Sequence, residues 1–229
     1  MSAASLSQKN RITGGLVDRN QPLGFRFDGQ HYTGFAGDTL ASALLANNVR
    51  LVGRSFKYHR PRGILTAGSE EPNALVTIGD GAYQDPNSRA TTAQLFEGMT
   101  AKSQTKMGLL SFDLMAVNDF LSPLLGAGFY YKTFMWPAAF WEKIYEPIIR
   151  KAAGLGSLSG LADPDQYDKG YLHCDLLVIG SGPSGLMAAL AAAKSGLQII
   201  LADEDFCLGG RLNAERQEID GMESAAFAE

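Results

Sequence analysis

Three glycines in the last quarter of the sequence have the spacing of a turn that binds phosphate. Gly180, Gly182 and Gly185 lie in the stretch GSGPSG, directly after the apolar run CDLLVI. The first glycine permits a tight turn, the second lets a pyrophosphate reach backbone N–H groups, and the third lets a helix pack closely on a sheet. The helix dipole favours negative phosphates at this position. The spacing therefore predicts a binding site for a dinucleotide.

The residues around these glycines support the same chemistry. Pro183 suits the first turn of a helix, which has no use for the N–H that proline lacks, and the small Ser184 keeps the mouth of the turn open. Asp203 follows Gly182 by about 20 residues, where an acidic side chain binds the hydroxyls of the adenosine ribose. A carboxylate at this position disfavours a ribose that carries a 2′-phosphate.

A second pair of glycines follows this acid, in the stretch EDFCLGGRL. Gly210 and its neighbour Gly209 allow the backbone to wrap around the adenosine end of a ligand. Glu204, Asp205 and Arg211 flank this loop, and they either contact ribose or phosphate or are ordinary charges on the surface. Both interpretations stay open at this point.

The alternative to a ligand site is a glycine turn that merely packs a helix against a sheet. Such a turn would account for Gly185, but it would not account for the acid Asp203. The sequence shows no pairing of a nucleophile with a base and no cluster of metal ligands. We therefore assign no catalytic residue and predict no metal site.

The glycine turn needs a strand before it and a helix and a second strand after it. CDLLVI has the continuous apolar character of a parallel strand that is buried on both faces. LQIILADED is the second strand. One narrow face of the helix SGLMAALAAAKSG carries apolar residues at helical spacing, which are Leu186, Ala189, Leu190 and Ala193. Residues 171–229 are thus predicted to be the start of a Rossmann-like FAD/NAD(P)-binding domain, of α/β class.

Only the first β-α-β of such a domain is present in the sequence, whereas a nucleotide half-domain usually has a further helix and strand. The sheet would then expose an edge and an apolar face. We therefore expect the chain to be a fragment, a split gene product or an interrupted reading frame. We also expect it to bind a dinucleotide weakly or not at all when it is isolated.

Residues 1–95 have the order of elements of a ferredoxin-like β-grasp domain, of α+β class. FRFDGQHY predicts a hairpin that turns at Asp28–Gly29 and places Phe25 and Phe27 on one face. GDTLASALLANNV predicts a helix whose first-turn N–H groups donate to Asp38. ALVTIGDG, with its β-branched alternation, predicts a strand.

Residues 96–170 are predicted to form a helical and linker region that is rich in aromatic residues. Its end, from Ala153 to Gly170, is rich in Gly, Ser and Asp and is typical of a linker. The stretch FLSPLLGAGFYYKTFMWPAAFW is long and apolar, but prolines, glycines and Lys132 interrupt it. We expect buried packing or a subunit contact there, and no membrane span.

The composition excludes several classes of function. The 229 residues carry a formal net charge of -4, so no electropositive field favours nucleic acid as a partner. The first ten residues lack the apolar core of a secretory signal. The two cysteines, Cys174 and Cys207, make no disulfide framework, and we interpret both as small buried hydrophobic residues. We expect a cytoplasmic protein.

Four stretches of the sequence resemble the alpha subunits of heterotetrameric sarcosine oxidases. They are GRSFKYHRPRGILTAG, AVNDFLSPLLGAGFYYKTFMWP, GSGPSGL and LADEDFCLGGRL. The resemblance runs from about Arg11 to Gly210, and the long irregular second stretch is its most specific part. It implies a ferredoxin-like β-grasp domain followed by an NAD-binding domain of the flavoprotein type.

The resemblance also implies an activity and partners. In this family sarcosine is oxidised to glycine on a flavin of the beta subunit, electrons pass to an FMN at the alpha–beta contact, and oxygen becomes hydrogen peroxide. The methyl carbon leaves as formaldehyde or joins tetrahydrofolate. The implied partners are beta, gamma and delta subunits, with FAD and FMN in the assembled complex. The alpha subunit would bind NAD, which is not expected to take a hydride from sarcosine, through Gly180, Gly182, Ser184, Gly185, Asp203, Glu204, Asp205 and Arg211.

The chain departs from related iron–sulfur subunits in one respect. Subunits of amine and opine dehydrogenases carry closely spaced cysteines after PRG, since each iron of a cluster needs thiolate ligands. Here the segment is PRGILTAGSEEPNALVTIGDG, with Thr66 and Ala74 near the expected ligand positions. We expect no iron–sulfur cluster, a β-grasp domain that serves as a scaffold, and a structural or inter-subunit role for the basic stretch RSFKYHRPR.

Two further functions remain as alternatives. A non-catalytic assembly or binding fragment would keep the apolar surface around Phe129 to Trp141 without any cofactor chemistry. A subunit of an opine or proline dehydrogenase-type flavoenzyme would need the iron–sulfur ligands that this sequence lacks.

Overall fold

Residues 18–103 fold around a mixed sheet with one helix packed on it. The structure, a computed structural model, describes residues 8, 10–12, 17–124, 126, 128, 134–213, 215 and 217–227. The chain divides into two compact units, Met1–Thr66 with Glu71–Asp163 and Ala67–Glu70 with Pro164–Glu229.

The first unit contains the following strands: β1 (Asp18–Phe27), β2 (Gln30–Ala36), β3 (Gly53–Arg54), β4 (Pro61–Arg62), β5 (Leu75–Ile78), β6 (Asp85–Arg89) and β7 (Thr100–Ser103). Its described helices are α1 (Leu40–Ala46), α2 (Val117–Phe120) and α3 (Glu146–Ala153). Short 3-10 turns occur at Gly81–Tyr83, Leu114–Ala116, Ser122–Leu124 and Ala138–Phe140, and a π turn occurs at Trp141–Tyr145.

The main sheet of the first unit has the strand order β2-β1-β7-β5-β6. Strand β7 runs parallel to β1, and the other neighbouring strands are antiparallel. The predicted order of hairpin, helix and strand is therefore confirmed. Because β7 spans Thr100–Ser103 and lies between β1 and β5, the sheet extends past the predicted boundary at residue 95.

The hairpin of β1 and β2 turns where the sequence predicts. Asp28 and Gly29 have φ angles of 47° and 83°, and this pair of positive values matches the right-handed twist of the two strands. Phe25 and Phe27, two residues apart, are both 2% exposed and pack in the core with Leu40 and other residues of α1. The alternation of the strand thus fixes the buried face of the sheet.

The start of α1 differs from the prediction. Thr39 is the N-cap, and its hydroxyl accepts from Ser42 N at 3.2 Å, whereas Asp38 makes no bond to a first-turn N–H. Asp38 is fully buried and accepts two hydrogen bonds from Arg11, at 3.0 and 2.7 Å, and one from Phe35 N at 2.9 Å. The assignment of Asp38 as the cap was wrong because a buried carboxylate needs a countercharge, which Arg11 supplies.

The basic stretch RSFKYHRPR is held by contacts within the first unit. Arg54 donates to Leu110 O at 3.0 and 2.7 Å. His59 is 2% exposed, and its Nδ1 lies 3.0 Å from a carboxylate oxygen of the buried Asp113. These contacts agree with a structural role for the stretch.

The second unit is built on one pair of parallel strands. Its described elements are β8 (Leu176–Ile179), α4 (Pro183–Ala193), β9 (Ile199–Ala202), a 3-10 turn (Gly210–Asn213), β10 (Glu218–Ile219), β11 (Met222–Glu223) and α5 (Ser224–Phe227). Strands β8 and β9 pair in parallel along their whole length, and the β-α-β prediction is confirmed for these elements. Strands β10 and β11 form a separate antiparallel pair.

Two details of the second unit correct the predictions. Strand β8 is not buried on both faces, since Leu177 is 52% and Ile179 81% exposed. On α4, Leu186 and Ala189 are half-buried as expected, but Leu190 and Ala193 are exposed. An apolar run shows which residues can be buried, but burial also needs elements that cover both faces of the strand, and the described residues do not provide them.

The cysteines also differ from the predictions, whereas for the aromatic stretch a subunit contact, one of the two expected alternatives, stays a prediction. Cys174 is half-buried and Cys207 is exposed, so neither is a buried hydrophobic residue. In the aromatic region Phe120 is 85% and Trp136 83% exposed, so these two side chains do not pack inside the first unit. Residues 129–133 of the predicted contact surface lie outside the described residues.

Across the described part of the chain, every helix is too short or too polar to cross a membrane.

Candidate functional site

The predicted phosphate turn lies between the end of β8 and the start of α4. Gly180 has a φ angle of 95°, a left-handed conformation that favours glycine, and its N–H donates to Ala202 O at 2.8 Å. Pro183 is the first residue of α4, as predicted, and Gly182 is the N-cap. Gly182 has no side chain that could cap the helix, so the structure shows no side-chain cap hydrogen bond at the N-cap, and a ligand could accept from the N–H groups of the first turn.

Gly185 and Gly182 are glycines for different reasons. A Cβ atom on Gly185 would lie 1.8 Å from Gly180 O, so only glycine allows α4 to approach the turn this closely. A Cβ atom on Gly182 would meet nothing within 4 Å, and its φ angle of -63° suits any residue. The described residues thus leave open space at Gly182, where a pyrophosphate needs it.

Asp203 directly follows β9 and contacts the glycine turn. One carboxylate oxygen accepts from Ser181 N, and the other accepts from Asp205 N at 2.8 Å. Hydrogen bonds from the Ser181 hydroxyl and from these N–H groups hold the pKa of Asp203 below its ordinary value. The acid is therefore ionised at neutral pH and lies beside the turn.

The loop with the second glycine pair folds back onto the same turn. Gly209 N donates to Ser181 O at 3.0 Å and lies 3.2 Å from Ser181 Oγ. A Cβ atom on Gly210 would lie 3.2 Å from the Cα atom of Gly182. The structure thus brings the glycine turn together with Asp203 and the Gly209–Gly210 loop, which follow Ser181 by 22 and 28 residues.

Ser181 is the residue of this site that sequence reasoning missed. It is fully buried and contacts both Asp203 and Gly209. A small polar residue between the first two glycines of the motif was the available signal. Its significance depends on contacts 22 and 28 residues away, which the local sequence does not reveal.

The other predicted site residues differ in how far they are buried. Ser184 and Glu204 are exposed. Asp205 is half-buried, and burial, followed by the charges of Asp203 and Glu204, raises its pKa. The exposed Arg211 forms an ion pair with Glu215 at 3.0 Å.

A separate loop in the first unit surrounds a buried carboxylate. Glu71 is 2% exposed and accepts hydrogen bonds from Leu65 N at 2.7 Å, Thr66 N at 2.6 Å and Asn73 N at 2.7 Å. Burial alone would raise the pKa of Glu71, but hydrogen bonds from Thr66, Asn73 and Leu65 together lower it below its ordinary value. The loop after PRG is therefore closed around an internal anion.

Two known families match two regions of the chain, in the same order as the two domains that the sequence predicts. Residues 20–106 match the family described as 2Fe-2S iron-sulfur cluster binding domain. Residues 175–226 match the family described as FAD dependent oxidoreductase. The chain therefore contains a ferredoxin-type region followed by part of a flavin-dependent oxidoreductase region.

The most informative relatives match almost the whole chain. Sarcosine oxidase subunit alpha of Rhizobium meliloti (strain 1021) is 63% identical over 93% of the chain, and that of Corynebacterium sp. (strain U-96) is 35% identical over 95%. The chain is a homologue of sarcosine oxidase alpha subunits. It spans about a fifth of their length, with 22% of the first relative and 18% of the second covered.

Two further similarities are more limited. A 4-oxocyclohex-2-ene-1-carboxylate 5-dehydrogenase of Sinomonas cyclohexanicum is 51% identical over 39 residues, which are 17% of this chain and 7% of that protein. The crystal structure of L-proline dehydrogenase from P. horikoshii covers 92% of this sarcosine oxidase alpha homologue and 31% of its own chain, with a TM-score of 0.47 and 17% identity.

The residues present do not fit the iron–sulfur cluster that the first matched family implies. Residues 20–106 contain no cysteine, whereas clusters of this kind are held by cysteine thiolates. Among the residues that the structure describes, no group of three His, Cys, Asp or Glu side chains is placed to hold a metal ion. The loop after PRG instead satisfies its N–H groups with the Glu71 carboxylate.

The glycine turn, in contrast, fits the adenosine diphosphate part of a dinucleotide. The uncapped start of α4 and the space at Gly182 suit two phosphates, and the ionised Asp203 suits ribose hydroxyls. FAD and NAD share this part of their structure, so these features alone agree with either.

Proposed function

We propose that this sarcosine oxidase alpha homologue contributes nucleotide binding and subunit contacts to an oxidoreductase complex. The complex oxidatively demethylates sarcosine to glycine and produces hydrogen peroxide, with formaldehyde or methylene-tetrahydrofolate as the other product. The observation that carries the proposal is the 63% identity to a sarcosine oxidase alpha subunit over 93% of the chain. The chain covers about a fifth of that relative, and we propose the activity for the assembled complex and not for this chain alone.

The proposed ligand of this chain is NAD, bound at the turn between β8 and α4. Gly180, Gly182, Ser184 and Gly185 would receive its pyrophosphate at the start of the helix, and Asp203 would accept from the adenosine ribose. Pro183 preforms the first helical turn. NAD is a hydride carrier, but we do not expect the bound NAD to take a hydride from sarcosine, because we assign that oxidation to the flavins of the complex. The remaining proposed contacts, in the loop after β9, are Glu204, Asp205, Gly210 and Arg211.

FAD is the second candidate for the same turn. The match of residues 175–226 to FAD-dependent oxidoreductases favours it. Both ligands would use Asp203 in the same way, since each has an adenosine ribose with free hydroxyls. A ligand with a 2′-phosphate would meet the charge of Asp203 and bind poorly.

The β-grasp region is proposed to be a scaffold without an iron–sulfur cluster. The absence of cysteine from residues 20–106 supports this, because no thiolate is available there to bind iron. The bonds to the buried Glu71 carboxylate support it as well, because they leave the loop stable without a cluster. Electrons would then pass through the flavins of the complex and not through this region.

The proposed partners are the beta, gamma and delta subunits of the complex, and an FMN would lie at the contact between the alpha and beta subunits. We propose that the complex is located in the cytoplasm.

An assembly module without cofactor chemistry is the second candidate function. The exposure of Phe120 and Trp136 favours it, since large exposed aromatic side chains are typical of contact surfaces.

Co-purification distinguishes these functions. The chain is produced with a flavin-bearing beta subunit, and bound NAD, bound FAD and sarcosine-dependent hydrogen peroxide are measured. We expect turnover with stoichiometric NAD, loss of the NAD in Asp203→Ala, and retention of NAD in the control Asp168→Ala, which changes an exposed acid outside the turn. Stable association without nucleotide or turnover would contradict the proposal and favour the assembly module.

A further inference from the structure

A short segment of the first unit, from Leu109 to Phe120, exposes large apolar side chains. Every residue of this segment is among those that the structure describes. The residues that are more than half exposed and apolar are Leu109, Phe112, Leu114, Val117 and Phe120. We call these five residues the 109–120 surface.

Local structure places four of these residues in two pairs. Phe112 N donates to Leu109 O at 3.1 Å, so these two residues close one turn. Val117 and Phe120 begin and end α2, three residues apart, and therefore share one face of that helix. The apolar side chains are thus grouped by regular local structure.

The apolar area of the 109–120 surface is large for a protein without a partner. It is on the order of 600 Å², since one aromatic side chain alone presents about 150–250 Å². The largest apolar patch of an ordinary monomer covers about 300–600 Å². Each partner of a stable protein–protein interface contributes about 800 Å², so this surface would supply most of one side.

The backbone of this segment is fixed by contacts within the first unit. Arg54 donates to Leu110 O at 3.0 and 2.7 Å. The buried Asp113 accepts from Met107 N at 2.6 Å and from Met115 N at 2.8 Å. A segment that is already ordered loses little conformational entropy when a partner binds, so the surface is preorganised for docking.

The two charged residues of the segment are both paired inside the first unit. Asp113 lies 3.0 Å from Nδ1 of His59, and Asp119 lies 2.7 Å from Nε of Arg60. Within residues 109–120, all of which are described, no charge is therefore left for an ionic partner. Depletion of charge is typical of the core of a protein–protein interface, whereas nucleic acids and charged peptides need countercharges.

We propose that the 109–120 surface docks into an uncharged, apolar groove of another subunit of the oxidoreductase complex. This inference rests on the proposed function, because it assigns a place to the subunit contacts of that proposal. The relatives that match 93% and 95% of the chain are named as subunits, which favours a partner of another kind over a second copy of this chain.

Site-specific photo-cross-linking identifies the chain that covers this surface. The full chain is produced together with the beta subunit, and the photoreactive p-benzoylphenylalanine replaces Phe112, Phe120 or, as the control, Tyr83. Tyr83 is a similarly exposed aromatic residue of the first unit that lies outside the surface. We expect cross-links to the beta subunit from Phe112 and Phe120, and none from Tyr83.

The cross-linking result separates this inference from the proposed function. A complex that forms but gives no cross-link from Phe112 or Phe120, or gives cross-links only to a second copy of the chain, would overturn the inference alone. A chain that associates with no beta subunit would contradict the proposed subunit contacts and this inference together.

Aspartate substitutions measure how much the surface contributes to binding. We expect Phe112→Asp to weaken association with the beta subunit at least about tenfold, because docking would bury a carboxylate without a partner. Tyr83→Asp should bind as the wild type does. Both variants should keep the urea midpoint of the wild type, since both side chains are exposed. Sedimentation analysis measures the association, and equal affinities of folded Phe112→Asp and the wild type would overturn the inference.

Discussion

At the scale of single residues, the three glycines of the turn have three separate explanations. Gly180 adopts a left-handed conformation, and Gly185 avoids a clash with Gly180 O. Neither reason applies to Gly182, whose conformation and surroundings in the described residues accept a side chain. A phosphate that approaches the backbone, as proposed, would explain Gly182, and this makes Gly182 the most informative position of the motif.

The difference between these glycines can be measured by two alanine substitutions. Gly185→Ala forces the backbone to move and should lower the free energy of unfolding by about 1–3 kcal/mol or more. Gly182→Ala should leave stability within about 0.5 kcal/mol of the wild type, yet weaken nucleotide binding, because the methyl group occupies the space for the phosphates. Urea unfolding and calorimetry measure the two effects. An affinity of Gly182→Ala equal to that of the wild type would remove the phosphate assignment.

The residue types of the site could be predicted, but their contacts could not. The spacing of the glycines and the position of Asp203 follow from local sequence, because a turn and a strand end are local structures. The role of Ser181 depends on Asp203 and Gly209, and the role of Asp38 depends on Arg11, 27 residues away. Such partners are decided by the tertiary fold.

At the scale of elements, the loop after PRG shows how this region is stabilised without thiolates. Three backbone N–H groups and the Thr66 hydroxyl converge on Glu71. Buried N–H groups need acceptors, and a carboxylate provides strong ones. The absence of cysteines from this loop is evident in the sequence. Nothing in the sequence indicates that Glu71, and not the adjacent Glu70, accepts from the N–H groups of the loop.

Substitution of the two adjacent glutamates tests this loop. Glu71→Gln places an amide donor among N–H donors and should lower the free energy of unfolding at pH 7 by about 1–3 kcal/mol. Glu70→Gln, at an exposed position, should have little effect.

The pH dependence provides a second test of the same loop. Because the folded pKa of Glu71 is lowered, its stabilisation is present above the unfolded value of about 4.3 and is lost as pH falls through the folded pKa. Urea midpoints between pH 7 and pH 3 should fall less steeply in Glu71→Gln than in the wild type. Parallel curves for the two proteins would show that Glu71 does not hold the loop.

At the scale of the whole molecule, the chain joins a ferredoxin-type region to a flavin-dependent oxidoreductase region. The hairpin, helix and strand of the first and the β-α-β of the second follow from turn residues and apolar periodicity. The exposure of β8 and of one face of α4 could not be predicted in this way, because apolar periodicity within an element does not show which other elements cover it. Subunit contacts belong to the same class of information.

The central claim is that a dinucleotide binds at the turn between β8 and α4. The most direct measurement is the change in backbone amide NMR signals when NAD is added at millimolar concentration to the isotopically labelled chain, because NMR detects the weak binding that we expect of the isolated chain. The account predicts that the largest changes occur at Gly182, Ser184 and Gly185, with smaller changes at Gly209 and Gly210. Changes confined to the first unit, with the amides of the turn unaffected at saturating NAD, would contradict it.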